Sequence, residues 1–208
     1  FVNRRRVRRH LLRDGEAIDI CEFRLLFRRQ PDAGAPSSPQ ATMVFTDAAE
    51  APEPQVVLPV GADGLVDPGD VARSLTPQTP LITIMLANNE IGTINPIGEI
   101  GALCKEKGVL FHTDATQSVT KIPIDLSKTY RHVDLVSFSG HKLHAPKGIG
   151  ALFIRRGTPC KPLLIGGHQE FGRRAGTENV PYIVGLAKAV QLAAENQHEE
   201  ETRIRRLR

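Results

Sequence analysis

Lys142 carries the most distinctive chemistry in the sequence. It sits between an apolar run and a loop containing glycine and proline, where a lysine amine can form a Schiff base with an aldehyde cofactor. Asp114 has the complementary use, because a nearby negative charge keeps a pyridine nitrogen protonated. Ser139 and His141 flank the lysine and can hold a phosphate by hydrogen bonds. Asn89 and Gln117 can bond a ring hydroxyl. All of them follow apolar stretches: Ala87-Asn88-Asn89-Glu90 comes after residues 81–86, Thr113-Asp114-Ala115-Thr116-Gln117 after 109–112, and Ser139-Gly140-His141-Lys142 after 133–138. In open α/β sheets ligands bind at the carboxyl ends of the strands, so an amide, a carboxylate and a lysine in this order read as one edge. Each residue also has a plain structural use. Asp114 can cap a following helix, Lys142 can be a solvated loop residue, Asn88-Asn89 a turn, His112 a satisfied core histidine, and Gly148-Ile149-Gly150 a loop. The ordered combination, not any one member, favours a site.

The elements that must carry these residues are legible from residue 56 onward. Residues 56–60 form a short apolar run and 61–64 a turn. Asp67-Pro68-Gly69-Asp70 starts a short helix over 70–75. A buried-type strand is expected over 80–86. A helix is expected over 96–107, with Ile97, Ile100, Leu103 and Cys104 on one face and Gly108 as its terminating glycine. Strands follow over 109–112, 133–138 and 150–155, a helix starts at 115–119, and one long helix covers 180–208 with Pro181 in its first turn. Alternating strands and helices with apolar strands predict an α/β fold with a largely parallel or mixed sheet.

The 208 residues carry a net charge of +4. Residues 1–30 hold nine Arg, no Lys and four acids, and 201–208 hold four Arg and one Glu, which leaves −4 for 31–200. Basicity belongs to the ends, which argues against nucleic acid as a partner. No apolar run approaches the roughly 20 residues of a membrane span. Cys21, Cys104 and Cys160 show no metal-ligand spacing, so no metal site is expected and a reducing, cytoplasmic compartment fits; organellar targeting through the Arg-rich start stays open. A short helix is expected near 20–29, and 31–55, with five Pro and six Ala, reads as a linker. Every Lys lies at or after Lys105. This break suggests that 1–55 do not belong to the fold of 56–208, as a frame-shifted start would not. Phe1 in place of an initiator Met suggests a fragment.

The motifs together resemble a known family. The run 133–142, Val-Asp-Leu-Val-Ser-Phe-Ser-Gly-His-Lys, with Gly148-Ile149-Gly150-Ala151-Leu152, resembles the lysine signature of class-V aminotransferase-fold, pyridoxal-phosphate-dependent enzymes. Ala87-Asn88-Asn89-Glu90-Ile91-Gly92, His112 through Ser118, and Arg174-Ala175-Gly176-Thr177-Glu178-Asn179 are similar to segments of the cysteine desulfurase and selenocysteine lyase group. The resemblance runs from about Val56 to the end. It implies a pyridoxal-phosphate-dependent transferase-like large domain, a mostly parallel mixed sheet flanked by helices and incomplete at both ends. It implies pyridoxal 5'-phosphate as cofactor, L-cysteine or L-selenocysteine as substrate, a homodimer, and room for a sulfur-acceptor protein. Lys142 would hold the cofactor and move the substrate Cα proton, and Asp114 would face the pyridinium nitrogen. Gln117 and Asn89 would contact the phenolic oxygen or the substrate. Ser139 and His141 would cradle the phosphate, and Thr177 would reach the phosphate of the neighbouring subunit. The reaction implied leaves alanine and an enzyme persulfide.

Three features depart from the family pattern. Residues 1–55 hold no recognisable Gly/Thr-rich phosphate turn or ring-stacking histidine. None of the three cysteines matches the sulfur-accepting position, which in the family lies in a small-residue loop well beyond the lysine. The sequence stops at Arg208, inside what reads as the inter-domain helix. Little or no activity is therefore expected of this chain alone. Two other readings stay open: a non-catalytic dimerising or binding remnant, and another class-V enzyme such as a kynureninase-like protein, which fits the 87–92 and 174–179 segments poorly.

Overall fold

Apolar residues at alternate positions of a strand can bury only one face of a sheet, and that arithmetic organises this chain. The computed structural model describes residues 17–20, 23–28, 42–47 and 57–207, which belong to two units, Phe1–Val57 and Leu58–Arg208. In the first, β1 (Ala17–Ile20), β2 (Phe23–Arg28) and β3 (Thr42–Asp47) pair antiparallel in the order β1-β2-β3. The helix expected over 20–29 is not formed. Phe23, Leu25 and Phe27 alternate with Arg24, Leu26 and Arg28, the period of a strand, and β2 pairs with both neighbours along its length. β3, rich in Thr, Val and Phe, lies inside the stretch whose composition suggested a linker.

The second unit begins with a turn in which the Gly64 amide donates to the Gly61 carbonyl. Next comes α1 (Pro68–Ser74), whose first free amides, Gly69 and Asp70, donate to the Asp67 carboxylate. Pro68 fits the first helical position, so the helix starts two residues earlier than expected. β4 (Leu81–Met85), α2 (Ile97–Lys107), β5 (Leu110–Asp114) and β6 (Leu135–Ser139) follow. A 3-10 helix covers Gly140–Leu143, then come β7 (Gly150–Ile154), the four-residue α3 (Gln169–Gly172), α4 (Val180–Glu195) and α5 (Gln197–Leu207). The sheet order is β4-β5-β6-β7, with β4, β5 and β6 parallel and β7 antiparallel on β6. This is the mixed, mostly parallel α/β architecture expected from the sequence.

The core lies on one side of the sheet. Ile82 and Ile84 of β4, Phe111 of β5 and Val136 of β6 pack with Val71 of α1 and Ile97, Ile100 and Cys104 of α2. Gly108 ends α2 at φ 71°, a left-handed geometry that glycine adopts without cost. Strand β4 was expected to be buried throughout, but it alternates between buried and exposed positions. The opposite sheet face carries Thr83, Met85, His112, Asp114 and Ser137. Beyond β7, the Arg155 guanidinium donates to the carbonyls of Val133 (2.7 Å), Leu126 (3.0 Å) and Tyr130 (3.3 Å). It fixes the turns that lead from residue 126 into β6.

Two helix expectations are corrected. Residues 115–119 form turns, not a helix: the Val119 amide still reaches the Ala115 carbonyl, but Thr120 takes φ 66° and Pro123 follows. The long helix over 180–208 is two helices, divided at Asn196, whose side-chain amide donates to the Leu192 carbonyl at 2.7 Å. Such a side chain competes with the backbone ladder. A β-branched residue at positive φ is strained by about 1–2 kcal/mol, so Thr120→Gly is expected to raise stability by about 1 kcal/mol after glycine's own entropy cost. Urea unfolding monitored by circular dichroism checks this; equal or lower stability would contradict it.

Candidate active site

Parallel strands end on the same side, so the residues that follow β4, β5 and β6 converge at one edge. The register Met85↔Asp114 and Asp114↔Ser137 puts Asp114 at the centre of the three. Its backbone is held on both sides: the Leu86 amide donates to the Asp114 carbonyl at 2.8 Å, and the Ala115 amide to the Ser137 carbonyl at 2.8 Å. The side chain is half-buried, and its Oδ1 accepts the Thr116 amide at 2.8 Å. Asp114 therefore has a local capping role in the turn. It keeps Oδ2 without a hydrogen-bond partner among the described residues.

Gln117 is half-buried in the same turn, and its Oε1 accepts from Lys121 Nζ at 3.4 Å. Burial, and next the nearby Lys142 ammonium, push the Lys121 amine below the ordinary lysine value. Lys142, Lys121 and Gln117 are thus neighbours, and no salt bridge neutralises either lysine among the described residues. Lys142 itself is exposed on the 3-10 helix, which begins directly after Ser139.

Glycines set the approach of that helix to the strand behind it. A Cβ on Gly150 would lie 2.6 Å from the Phe138 carbonyl oxygen. One on Gly140 would lie 3.0 Å from both the Ile149 carbonyl oxygen and Leu186. The Gly140 amide donates to that Ile149 carbonyl at 2.8 Å. The Gly148-Ile149-Gly150 loop is therefore a packing requirement for the position of Lys142.

The remaining expected residues are less engaged. Asn89 is exposed in the turn after β4. There Asn88, not Asn89, does the structural work: its Oδ1 accepts the amides of Glu90 (2.8 Å) and Ile91 (3.0 Å). His141 is exposed beside Lys142. Thr177 is exposed in the segment joining α3 and α4, and no hydrogen bond links it to the strand ends among the described residues. Asp114, Gln117, Ser139 and Lys142 are brought to one edge; Asn89, His141 and Thr177 make no recorded contact there.

Lys121 had no role in the sequence expectations, and His112 was expected only as a satisfied core histidine, which its two ring hydrogen bonds bear out. Lys121 lies four residues after Gln117. His112, two before Asp114, places Nδ1 2.6 Å from Thr83 Oγ1 and Nε2 2.9 Å from Ser137 Oγ. Burial holds its imidazole below the ordinary histidine value against the opposing pull of Asp114. The i, i+2 spacing to Asp114 was the available signal, since it puts both on one strand face. No helix among the described residues is long and apolar enough to cross a membrane.

Known proteins align with this geometry. Residues 40–207 match the aminotransferase class-V family model. The chain is 55% identical over 149 residues to a cysteine desulfurase of Gluconacetobacter diazotrophicus, covering 72% of the chain and 37% of that protein. It superposes on the structure of a NIFS-like protein with TM-score 0.64 and 45% identity, covering 68% of the chain and 39% of that structure. It also superposes on SspA in complex with cysteine with TM-score 0.60 and 46% identity, covering 64% and 38%. The chain thus spans under two fifths of the length of these proteins.

The two described cysteines differ in chemistry. Cys104 is buried on α2, and burial, then Asp134, push its thiol up to about 11. Cys160 is exposed. Cys21 lies outside the described residues. At pH 8 the thiolate fraction of Cys104 is about one in a thousand, so an aromatic disulfide reagent should modify Cys160 rapidly and Cys104 only on unfolding. Peptide mass spectrometry after timed quenching checks the order; early modification of Cys104 would contradict its burial.

Proposed function

From its membership of the aminotransferase class-V family, to which the chain belongs, we propose that it carries part of the active site of a cysteine desulfurase-like enzyme. The substrate would be L-cysteine. Its sulfur would pass to an enzyme thiol to give a persulfide, leaving L-alanine. The observation that carries the reading is the edge where the parallel strands β5 and β6 deliver Asp114, Gln117 and Ser139, with Lys142 immediately beyond. A selenocysteine substrate shares the same edge chemistry.

The residues present fit pyridoxal 5'-phosphate. Among the described residues Asp114 keeps one carboxylate oxygen unshared, as a protonated ring nitrogen requires, and the Lys121–Lys142 pair has no salt-bridge partner and offers positive charge to an anionic group. Bound there, the cofactor supplies an electron sink for bonds at the substrate Cα. Asp114 holds the proton on the ring nitrogen. Lys142 would be the residue that holds the cofactor through its aldehyde, and its amine would be the base placed to move the substrate Cα proton. Gln117 and Asn89 reach the ring hydroxyl or the substrate, and Ser139 and His141 hold the phosphate. Thr177 serves the phosphate of a neighbouring subunit in a homodimer. The product persulfide calls for a sulfur-acceptor protein, and persulfide chemistry suits a reducing compartment such as the cytoplasm.

One observation favours a second reading, a dimerising module without catalysis of its own. Helix α4 has no buried residue and exposes Val180, Ile183, Val184 and Leu192, a face that wants a partner. Alanine formed from cysteine by the purified chain would eliminate that reading.

Borohydride reduction in the presence of pyridoxal phosphate is expected to add the cofactor mass to the peptide containing Lys142. Lys142→Ala should lose this addition entirely while keeping its fold by circular dichroism. Equal labelling of wild type and variant, or labelling confined to other lysines, would sink the assignment.

A further inference from the structure

We propose that His112 is a positioning residue for Asp114: by holding the Ser137 hydroxyl on Nε2 and the Thr83 hydroxyl on Nδ1, it keeps Ser137 off the Asp114 carboxylate and leaves Oδ2 for the ring nitrogen of the cofactor. The proposal rests on the pyridoxal-phosphate reading above and adds a residue to it.

His112 and Asp114 stand two apart on β5 and share a face. Ser137 is the cross-strand partner of Asp114 on β6, and it meets His112 Nε2 at 2.9 Å, so it lies on the same face. Neighbouring strands of a sheet lie about 4.8 Å apart, so side chains at partner positions on one face stand side by side. The Ser137 hydroxyl therefore stands within reach of either His112 or Asp114, and the structure gives it to His112. On the other side, Thr83 is the register partner of His112 and closes on Nδ1 at 2.6 Å. One imidazole thus ties three strands in the row directly beneath Asp114.

The chemistry of the imidazole suits the task. A neutral ring has one donor and one acceptor nitrogen, and a hydroxyl can serve as either partner. Both bonds are therefore satisfied in either tautomer, and neither nitrogen is left to bond the carboxylate. Because burial disfavours its charged form, the ring adds no cation beside Asp114 to compete for Oδ2. Among the described residues the Asp114 carboxylate accepts one hydrogen bond, from the Thr116 amide on Oδ1. Without His112, the Ser137 hydroxyl would be an unpaired donor next to an acceptor, and such a pair closes.

A rescue experiment separates this role from a merely structural one. His112→Phe keeps the ring's bulk and releases Ser137. Pyridoxal phosphate affinity, read by titrating the visible absorbance of the purified full chain, should fall about tenfold, the scale on which outer partners act on a bound group. His112→Phe with Ser137→Ala removes the released hydroxyl and should return affinity to within about threefold of wild type. A double variant as weak as the single one, or a single variant within twofold of wild type, overturns the proposal. In the cofactor-free wild-type chain, nitrogen NMR should show a neutral His112 ring at pH 7, with the Nε2 signal shifting in Ser137→Ala. A charged ring or an unmoved signal overturns it whether or not His112→Phe folds. If the wild-type chain takes up no pyridoxal phosphate through Lys142, the functional reading itself fails and this proposal with it. If wild type loads and His112→Phe loads equally, only the present proposal fails.

Discussion

The parallel pairing of β4, β5 and β6 is the constraint on which the site depends. It fixes Met85, Asp114 and Ser137 in one row, and the ladder continues past the row through the Leu86 and Ala115 amides. A slip of one residue would turn Asp114 toward α1 and α2 and push Phe111 and Thr113 out to the other face. The hydrophobic pattern prevents that slip. Ile82, Ile84, Phe111 and Val136 must face α1 and α2, so the polar residues between them must face the other way. Burial on one side of the sheet places charge on the other.

The sheet also divides the site by rigidity. Asp114 and Ser139 end strands held by the ladder, and Gln117 follows in a hydrogen-bonded turn, so the groups proposed for the ring and one side of the phosphate come preset. Lys142 is set by a different device, the close approach of Gly140 and Gly150 to neighbouring backbone. Asn89 and Thr177 stand on exposed loops and His141 on the 3-10 helix, and no side-chain hydrogen bond anchors them among the described residues. A covalent amine must move between cofactor and substrate, so exposure of Lys142 is compatible with its role. A carboxylate that would fix a ring proton gains from immobility, and short backbone bonds on both sides hold Asp114 in place.

Much of this was legible in the sequence because strand ends leave a signature: an apolar run, then a short polar motif. The order of Asn89, Asp114 and Lys142 along the chain reproduces the order of β4, β5 and β6 in the sheet, so the edge could be read without coordinates. What failed was long-range or competitive. The helix expected after Asp114 gave way to turns because Thr120 and Pro123 oppose helix continuation. The long terminal helix divides because the Asn196 amide competes with the ladder. β2 resembled a helix because Leu26 fills the gap between Phe23, Leu25 and Phe27, blurring period two. Lys121 and the Thr83–His112–Ser137 tie depend on side-chain reach across strands, which no local pattern encodes.

The same geometry accounts for the one-sided use of histidine. His112 is flanked by hydroxyls on both neighbouring strands and lies half-buried, whereas His141 stands exposed on the 3-10 helix. An imidazole with two fixed hydroxyl partners has no free lone pair or proton to offer a substrate, so it can shape a site only through its neighbours. An exposed imidazole beside a lysine keeps an N–H donor free for an anionic ligand. Hydroxyl partners and burial thus confine the first histidine to ordering the sheet beneath the carboxylate, while the second keeps its imidazole open to solvent beside Lys142.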